Sequence, residues 1–373
     1  MSNNLYTQRR FLLMTLDPVH IGTGGYRLGR VDLSIVREPG TNLPKIPGTS
    51  LAGAARSYAA MRYEKPQCAG QGGRDQPHCG QPTCPICYTF GSVRGTAGGS
   101  AGTISISDAR LLFFPVHSLA GPVWVTSPST LADFGIEGHQ VSENKAGWNS
   151  ALTRQNRLNL GWLMLEKDSD WSAPDDTRVP KEIKSRIVLV SDKLFSQIVN
   201  SNLEVRTSVS IDPRTGAAAE GALFTYEALP RATWLWLDVV EDDYRRDFPT
   251  REKLARWKQD LEQNSDEAEK LLKRWSLWKE SDGEKQKEEA RNKALKWIKD
   301  DLGHYNQAGS LPSPKQGWQK QTQNREEAKQ EDPIQEGPID VVRAGLQLAE
   351  YLGIGGMGTR GFGRIKVMAD WEV

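Results

Sequence analysis

The stretch that most constrains the fold is "PIDVVRAGLQLAEYLGIGGMGTRGFGRIKVMA", residues 338–369. Its apolar positions first recur at helical spacing, then glycines dominate, then an apolar run with strand character follows. The order is therefore helix, glycine-rich loop, strand. A dinucleotide-binding GxGxxG needs the reverse order, a strand before the loop and a helix after it. A phosphate-cradling P-loop needs Gly-Lys-Ser/Thr, which is missing. Both folds are excluded by context. The loop still offers backbone N–H groups that no side chain screens, at Gly355, Gly356 and Gly361, beside Arg360 and Arg364. That is a surface for a phosphate backbone. A packing turn with no ligand accounts for the glycines alone almost as well.

The four cysteines fall in one window, "CAGQGGRDQPHCGQPTCPIC". Cys68, Cys79, Cys84 and Cys87 are spaced C-x10-C-x4-C-x2-C, and His78 adjoins as an alternative ligand. The Gly, Gln and Pro around them cannot build a core, so a structural Zn2+ is expected to replace one. Four reduced thiols in a loop are the bland alternative. The clustering also argues against disulfides, and the polar start of the chain argues against a secretory signal. No run of about 18 apolar residues occurs. The expected location is cytoplasmic, with no membrane partner. A net charge of +1 neither supports nor excludes nucleic acid, so any such claim rests on local patches.

Along the chain, "RRFLLMTLDPVHIG" predicts a first strand and "GTSLAGAARSYAAMR" a helix capped by its Ser or Thr. "GTISISDARLLFFPV" predicts one strand, and "GPVWVTSPSTLADFG" strand, turn and helix. "EIKSRIVLVSDKLFSQIV" predicts strand then helix. The stretch from Val205 through Val240 alternates on both sides of Pro-Arg-Thr-Gly, which predicts an extended hairpin arm. Residues 248–335 differ in kind, with charged amphipathic helices that put Leu254, Trp257 and Leu261 on one face. Their tryptophans predict docking onto the rest of the chain or a partner. Residues 313–333 predict a linker. The element order predicts an α+β, ferredoxin-like (RRM-like) core over 1–247 and 336–373. The cysteine segment (68–87), the hairpin (205–230) and the helical insertion (248–335) project from it.

Four segments carry a resemblance that covers most of the chain outside the insertion. They are "HIGTGGYRLGRVDLSIVREPGTNLPKIPGTSLAGAAR", "FGSVRGTAGGSAGTISISDARLLFFPVHSLAGPVWVTSPSTL", "VRTSVSIDPRTGAAAEGALFTYEALP" and "IGGMGTRGFGRI". In this order they resemble the Cas7 group of the RAMP superfamily, the backbone subunits of type III CRISPR effector complexes. The likeness is greatest to type III-B, while the cysteine window resembles type III-A.

The resemblance implies a subunit that binds guide crRNA and cuts complementary single-stranded target RNA at regular intervals. It implies a filament of further copies, with Cas10-like, Cas5-like and small Cas11-like subunits as partners. Asp32 matches the loop aspartate implicated in cutting, and 205–230 matches the thumb hairpin that kinks the target. The resemblance further implies RNA contacts at Arg37, Ser50, Arg56, Arg206, Arg214 and Arg231, with His20 and Arg37 stabilising charge. A loosely bound Mg2+ or Mn2+ would assist Asp32. Ala52 replaces an expected lysine, leaving Arg56, one turn on, to carry that contact. The competing readings are a scaffold subunit that does not cut and a guide-processing nuclease. The latter relies on a histidine base, and the five histidines form no cluster near the glycine-rich loop.

Overall fold

The computed structural model describes residues 6–24, 31–70, 78–93, 99–209, 211–217, 223–310 and 337–373, with backbone alone for 305–310. The expected linker, part of the first glycine loop and residues 210 and 218–222 of the hairpin lie outside the described residues.

The elements run in the order β1 (Thr7–Thr15), α1 (Gly48–Arg62), α2 (Pro85–Phe90), β2 (Ser92–Val93), β3 (Gly99–Ser100), β4 (Ile104–Ile106) and β5 (Arg110–Val116). Then come β6 (Val123–Thr126), α3 (Pro128–Phe134), β7 (Lys145–Trp148), β8 (Arg157–Leu160), β9 (Leu163–Asp170), β10 (Ile187–Val190) and α4 (Asp192–Ser201). The chain ends with β11 (Glu204–Ser208), β12 (Phe224–Ala228), β13 (Trp234–Glu241), α5 (Arg251–Gln263), α6 (Asp266–Arg274), α7 (Glu284–Ser310), α8 (Pro338–Leu352) and β14 (Ile365–Glu372).

The main sheet is ordered β14-β1-β13-β5-β6-β10-β7-β9-β8, with β4 also paired to β13. Its first four strands are antiparallel neighbours. With α1 after β1 and α8 before β14, they make the β-α-β-β-α-β ferredoxin-like unit in which the last strand lies beside the first. Strand alternation explains the core. Phe11 and Leu13 of β1 share a cluster with Leu51 and Ala55 of α1 and Val342 and Leu346 of α8. Leu12 points the other way, into a cluster with Leu131, Phe134 and Trp236. A sheet covered on both faces reads as unbroken apolar runs rather than alternation. Helices α1 and α8 pack so closely that a Cβ at Gly345 would collide with the Ala55 carbonyl oxygen.

Several expectations change. The first strand ends at Thr15. The strand expected from "GTISISDARLLFFPV" is broken between β4 and β5, because the Asp108 carboxylate turns back to Lys45 and to the Gly48 amide. Asp108 thereby does the capping assigned to Ser or Thr, since Pro47 is the N-cap of α1 and supplies no side-chain bond. The expected arm is shorter, because β13 lies inside the main sheet and only β11 and β12 pair as a separate hairpin.

The insertion has its own core. Leu254, Trp257, Leu261, Leu271, Leu272, Trp278 and Ile298 are all buried there. Trp275 packs edge-on to Trp257, with ring centroids 5.3 Å apart. Trp257, Trp275 and Trp278 therefore fill the insertion's interior, while Trp297 lies outside that cluster and is partly exposed. Trp318 lies outside the described residues. No described helix is long and apolar enough to cross a membrane.

Candidate nucleic-acid interface and metal centre

The segment around Asp32 is irregular in isolation, and β12 gives it its shape. The Leu33 amide donates to the Thr225 carbonyl at 3.1 Å, and the Glu227 amide donates to the Leu33 carbonyl at 3.2 Å. Asp32 is exposed, and its Oδ2 accepts from the Thr225 amide at 2.7 Å and from Thr225 Oγ1 at 2.9 Å. The Asp32 amide in turn donates to Thr225 Oγ1 at 3.2 Å. The Thr225 backbone bond, followed by the hydroxyl bond, holds the Asp32 carboxyl below its ordinary pKa.

Beneath this, Glu227 acts as a hub. It is buried, accepts from the Ile35 amide at 2.8 Å, and clamps Arg37 through both carboxylate oxygens at 2.6 and 2.8 Å. Arg37 also donates to Asn200 at 2.8 Å. His20 is buried, and its Nδ1 donates to the Glu227 carbonyl at 2.7 Å. Neither His20 nor Arg37 is thus a free cation facing solvent. Both are absorbed in holding the Asp32 segment against the base of the hairpin.

The glycine-rich loop meets the same base. Gly355 has φ +78°, and a Cβ there would stand 2.5 Å from the His20 carbonyl oxygen. Gly356 donates to that oxygen at 3.0 Å. Arg360 reaches Ser208 at 3.1 Å and lies over the Phe224 ring at 5.4 Å. Arg206 is bonded to Glu204 at 2.6 Å and lies over Phe362 at 4.7 Å. Arg364 grips Asp17 at 2.5 and 3.1 Å. That bond first, outweighing partial burial and aided by the charges of Arg364, Arg231 and Arg206, lowers the Asp17 pKa. Arg214 and Arg231 are exposed, Arg214 lying 3.5 Å from Asp212.

An open cleft of about 400 Å³ separates the start of α1 from this loop. Ser50, Gly53, Ala54, Ser57 and Tyr58 line one side, and Gly353, Ile354, Gly355 and Gly358 the other. Tyr58 crosses it to bond the Gly353 carbonyl. Ser50 and Gly355, far apart in sequence, are thus brought together. Arg56 is not part of this lining. It donates to the Cys68 carbonyl at 2.7 Å and the Phe90 carbonyl at 3.3 Å, on the side of the cysteine segment.

The cysteines converge. All four sulfurs lie within 4.8 Å of one another, and the closer pairs are 3.3 to 3.8 Å apart. A tetrahedron of thiolates around zinc has an edge of about 3.8 Å, given Zn–S of about 2.3 Å. The group can hold a metal ion, with Cys68, Cys84 and Cys87 buried. The alternative ligand His78 is otherwise engaged, its Nε2 bonded to the Gly70 carbonyl at 3.1 Å and its Nδ1 accepting from the Val93 amide at 3.1 Å. Among the described residues this is also the one group of three or more potential ligands, and Asp32 belongs to no such group.

Sequence reasoning singled out Asp32, the cysteines and the loop arginines, but not Thr225, Glu227 or Asp17, which the structure brings against Asp32, Arg37 and Arg364. Thr225 is 193 residues from Asp32, and a threonine in a strand carries no local sign of such a partner.

A ferredoxin-like sheet with a glycine-rich loop before its last strand and a separately paired hairpin defines a ferredoxin-like class of α+β fold. The RAMP superfamily model matches residues 12–307, and the chain belongs to that superfamily. More particularly, it is 31% identical over 244 residues to the CRISPR system Cmr endoribonuclease Cmr4 of Pyrococcus furiosus, covering 59% of this chain and 77% of that protein. It is 34% identical over 87 residues to the CRISPR system Cms endoribonuclease Csm3 of Methanothermobacter thermautotrophicus, covering 23% of this chain and 33% of that protein. Among solved structures, the type III-B Cmr-beta complex bound to cognate target RNA matches with TM-score 0.48 at 15% identity, over 64% of this chain and 85% of that one. The oligomeric Cmr4 crystal structure from Pyrococcus furiosus matches with TM-score 0.41 at 24% identity, over 64% and 83%. Nothing about the site rests on these two likenesses.

Proposed function

We propose that this chain is a backbone subunit of a type III CRISPR effector complex, one that binds guide crRNA and cuts complementary target RNA beside its hairpin, using Asp32. The observation that carries this reading is the exposed Asp32 carboxylate latched to the base of the β11–β12 hairpin, in a chain related to a named Cmr4 endoribonuclease. The guide backbone lies along the cleft between the start of α1 and the glycine-rich loop, where bare amides and the nearby Arg360 favour phosphate. The hairpin kinks the target so that a ribose 2′-OH, the phosphorus and the leaving 5′-oxygen come into line. The 2′-oxygen bonds to phosphorus as the bond to the 5′-oxygen breaks. The 2′-OH proton passes to the Asp32 carboxylate, and water protonates the leaving oxygen. The products are a 2′,3′-cyclic phosphate and a 5′-hydroxyl.

A divalent cation supplies charge neutralisation in such a step. With Asp32 in no group of three or more potential ligands among the described residues, Mg2+ or Mn2+ would be held mostly by water and RNA phosphates, and the step above is routed through Asp32 alone. The four cysteines are assigned to Zn2+ in a structural role, since a closed thiolate shell leaves no open position. Partner copies in a filament and the other type III subunits belong to this reading.

A second reading, a guide-binding scaffold that does not cut, is favoured by one observation. Asp32 is already engaged by Thr225 and, among the described residues, belongs to no group of three or more potential metal ligands. Target cleavage by the reconstituted complex, with and without Asp32→Ala, decides between them. Uncut RNA with the unaltered chain supports the scaffold.

A further inference from the structure

We propose that Thr225 is the positioning residue of Asp32, holding carboxylate oxygen Oδ2 at two points so that Oδ1 alone is left for proton transfer. The inference rests on Asp32 being the cutting residue and adds a partner from the other strand of the site.

The bonds form a closed ring. The Asp32 amide donates to Thr225 Oγ1, which commits one lone pair of the hydroxyl. The single hydroxyl proton then goes to Asp32 Oδ2, 2.9 Å away, and the Thr225 amide reaches the same oxygen at 2.7 Å. Two donors on one oxygen fix both side-chain torsions of the aspartate. Among the described residues, no other residue donates to Oδ1.

The threonine is itself held. It pairs with Thr207 across the hairpin, and its carbonyl accepts from the Leu33 amide. The hairpin base and the Asp32 segment therefore move as one piece, and a kink imposed by the hairpin arrives already in register with the carboxylate. In-line attack tolerates little displacement, so this fixing of one oxygen is where a hydroxyl far from the scissile bond affects rate.

Among the described residues, the charged groups on the elements that meet the Asp32 segment are engaged elsewhere. On its own segment Arg37 is clamped by Glu227 of β12. On β11, Arg206 and Glu204 bond each other, and Arg360 of the glycine-rich loop is bonded to Ser208. His20 is spent on the Glu227 carbonyl. The Thr225 bonds are thus the main influence on Asp32 ionisation, in keeping with its lowered pKa.

The test uses the reconstituted complex with Thr225→Val, which removes the hydroxyl but keeps shape and backbone, and Thr225→Ser, which keeps the hydroxyl. Single-turnover cutting of bound target is followed against pH. Thr225→Val is expected to slow cutting about tenfold or more, the order of a lost hydrogen bond to a charged group. Its acidic limb should move to higher pH, and Thr225→Ser should restore both rate and limb. In the isolated chain, carbon-detected NMR titration of the Asp32 carboxyl should show the same upward move, whether or not the variant assembles. If Asp32→Ala cuts like the unaltered complex, the reading of Asp32 falls and takes this inference with it. If Asp32→Ala is dead while Thr225→Val keeps the normal rate and pH limb, Asp32 stands and the role given to Thr225 is overturned. A Thr225→Val that is slow with an unmoved limb and an unmoved Asp32 titration also overturns it, by reducing Thr225 to a structural residue.

Discussion

Lys65 and Asp301 form an ion pair sealed from water, their side chains only 3% and 1% exposed, across the seam between the cysteine segment and α7. Lys65 lies three residues past the end of α1, so one ion pair links the ferredoxin-like unit, the cysteine segment and the insertion. Arg274 adds a second link to Asp247 at 2.8 and 3.0 Å, and Tyr63 packs against both the insertion core and the cysteine cluster.

Removing one partner of such a pair strands the other. Asp301→Ala should lower stability by about 3–5 kcal/mol in denaturant unfolding. Replacing both, with Lys65→Met and Asp301→Leu, should recover most of the loss. An Asp301→Ala protein with an unshifted midpoint would mean that water already reaches the pair. By the same geometry, deleting residues 250–330 should leave a folded, RNA-binding chain that is less stable, because it uncovers Lys65 and Tyr63.

Metal analysis of protein purified without chelator should find one zinc per chain. Cys84→Ser should lower the melting temperature and the zinc content together, while single-turnover cutting by the surviving folded complex stays near normal. Loss of cutting with folding intact would instead make the metal part of the chemistry.

Asp32→Ala should spare assembly and target binding and abolish cutting at regularly spaced sites. Asp32→Glu should rescue poorly, since one added methylene displaces the carboxylate from the Thr225 grip. A 2′-deoxy nucleotide at the cut position should block cleavage there. Cut ends bearing 5′-phosphate would contradict attack by the 2′-oxygen.

Arg360→Ala should weaken guide binding equally for all guide sequences and reduce the salt slope by about 1. Arg364→Ala should do less, because that guanidinium is already committed to Asp17. The sign of the pH effect follows. Asp17 has a lowered folded pKa, so its pairing adds stability above the unfolded value of about 3.9, and that contribution is lost as pH falls through the folded value. The stability gap between Asp17→Asn and the unaltered chain should therefore be present at neutral pH and close in acid. A guide-sequence-dependent loss with Arg360→Ala would point to base reading instead of phosphate contact.

Local pattern by itself determined much of this protein. The helical periodicity of α1 and α8, the strand after the glycine-rich loop and the clustering of four cysteines are all written within short windows, where one residue's neighbours decide its conformation. So is the amphipathic face of Leu254, Trp257 and Leu261. Tertiary structure decided the rest, because it depends on pairs far apart in sequence. The apolar run of β13 reads equally well as the far end of an arm or as a central strand, and only its pairing with β1 and β5 chooses. Only the fold shows that Glu227 and the Cys68 carbonyl bond Arg37 and Arg56, the two arginines that the resemblance offers as RNA contacts. Asp32 was legible through the resemblance, as the match to a loop aspartate. That Thr225 holds one of its oxygens follows from folding the hairpin base onto the Asp32 segment, a closure that no local preference encodes and that the buried Glu227 beneath it stabilises.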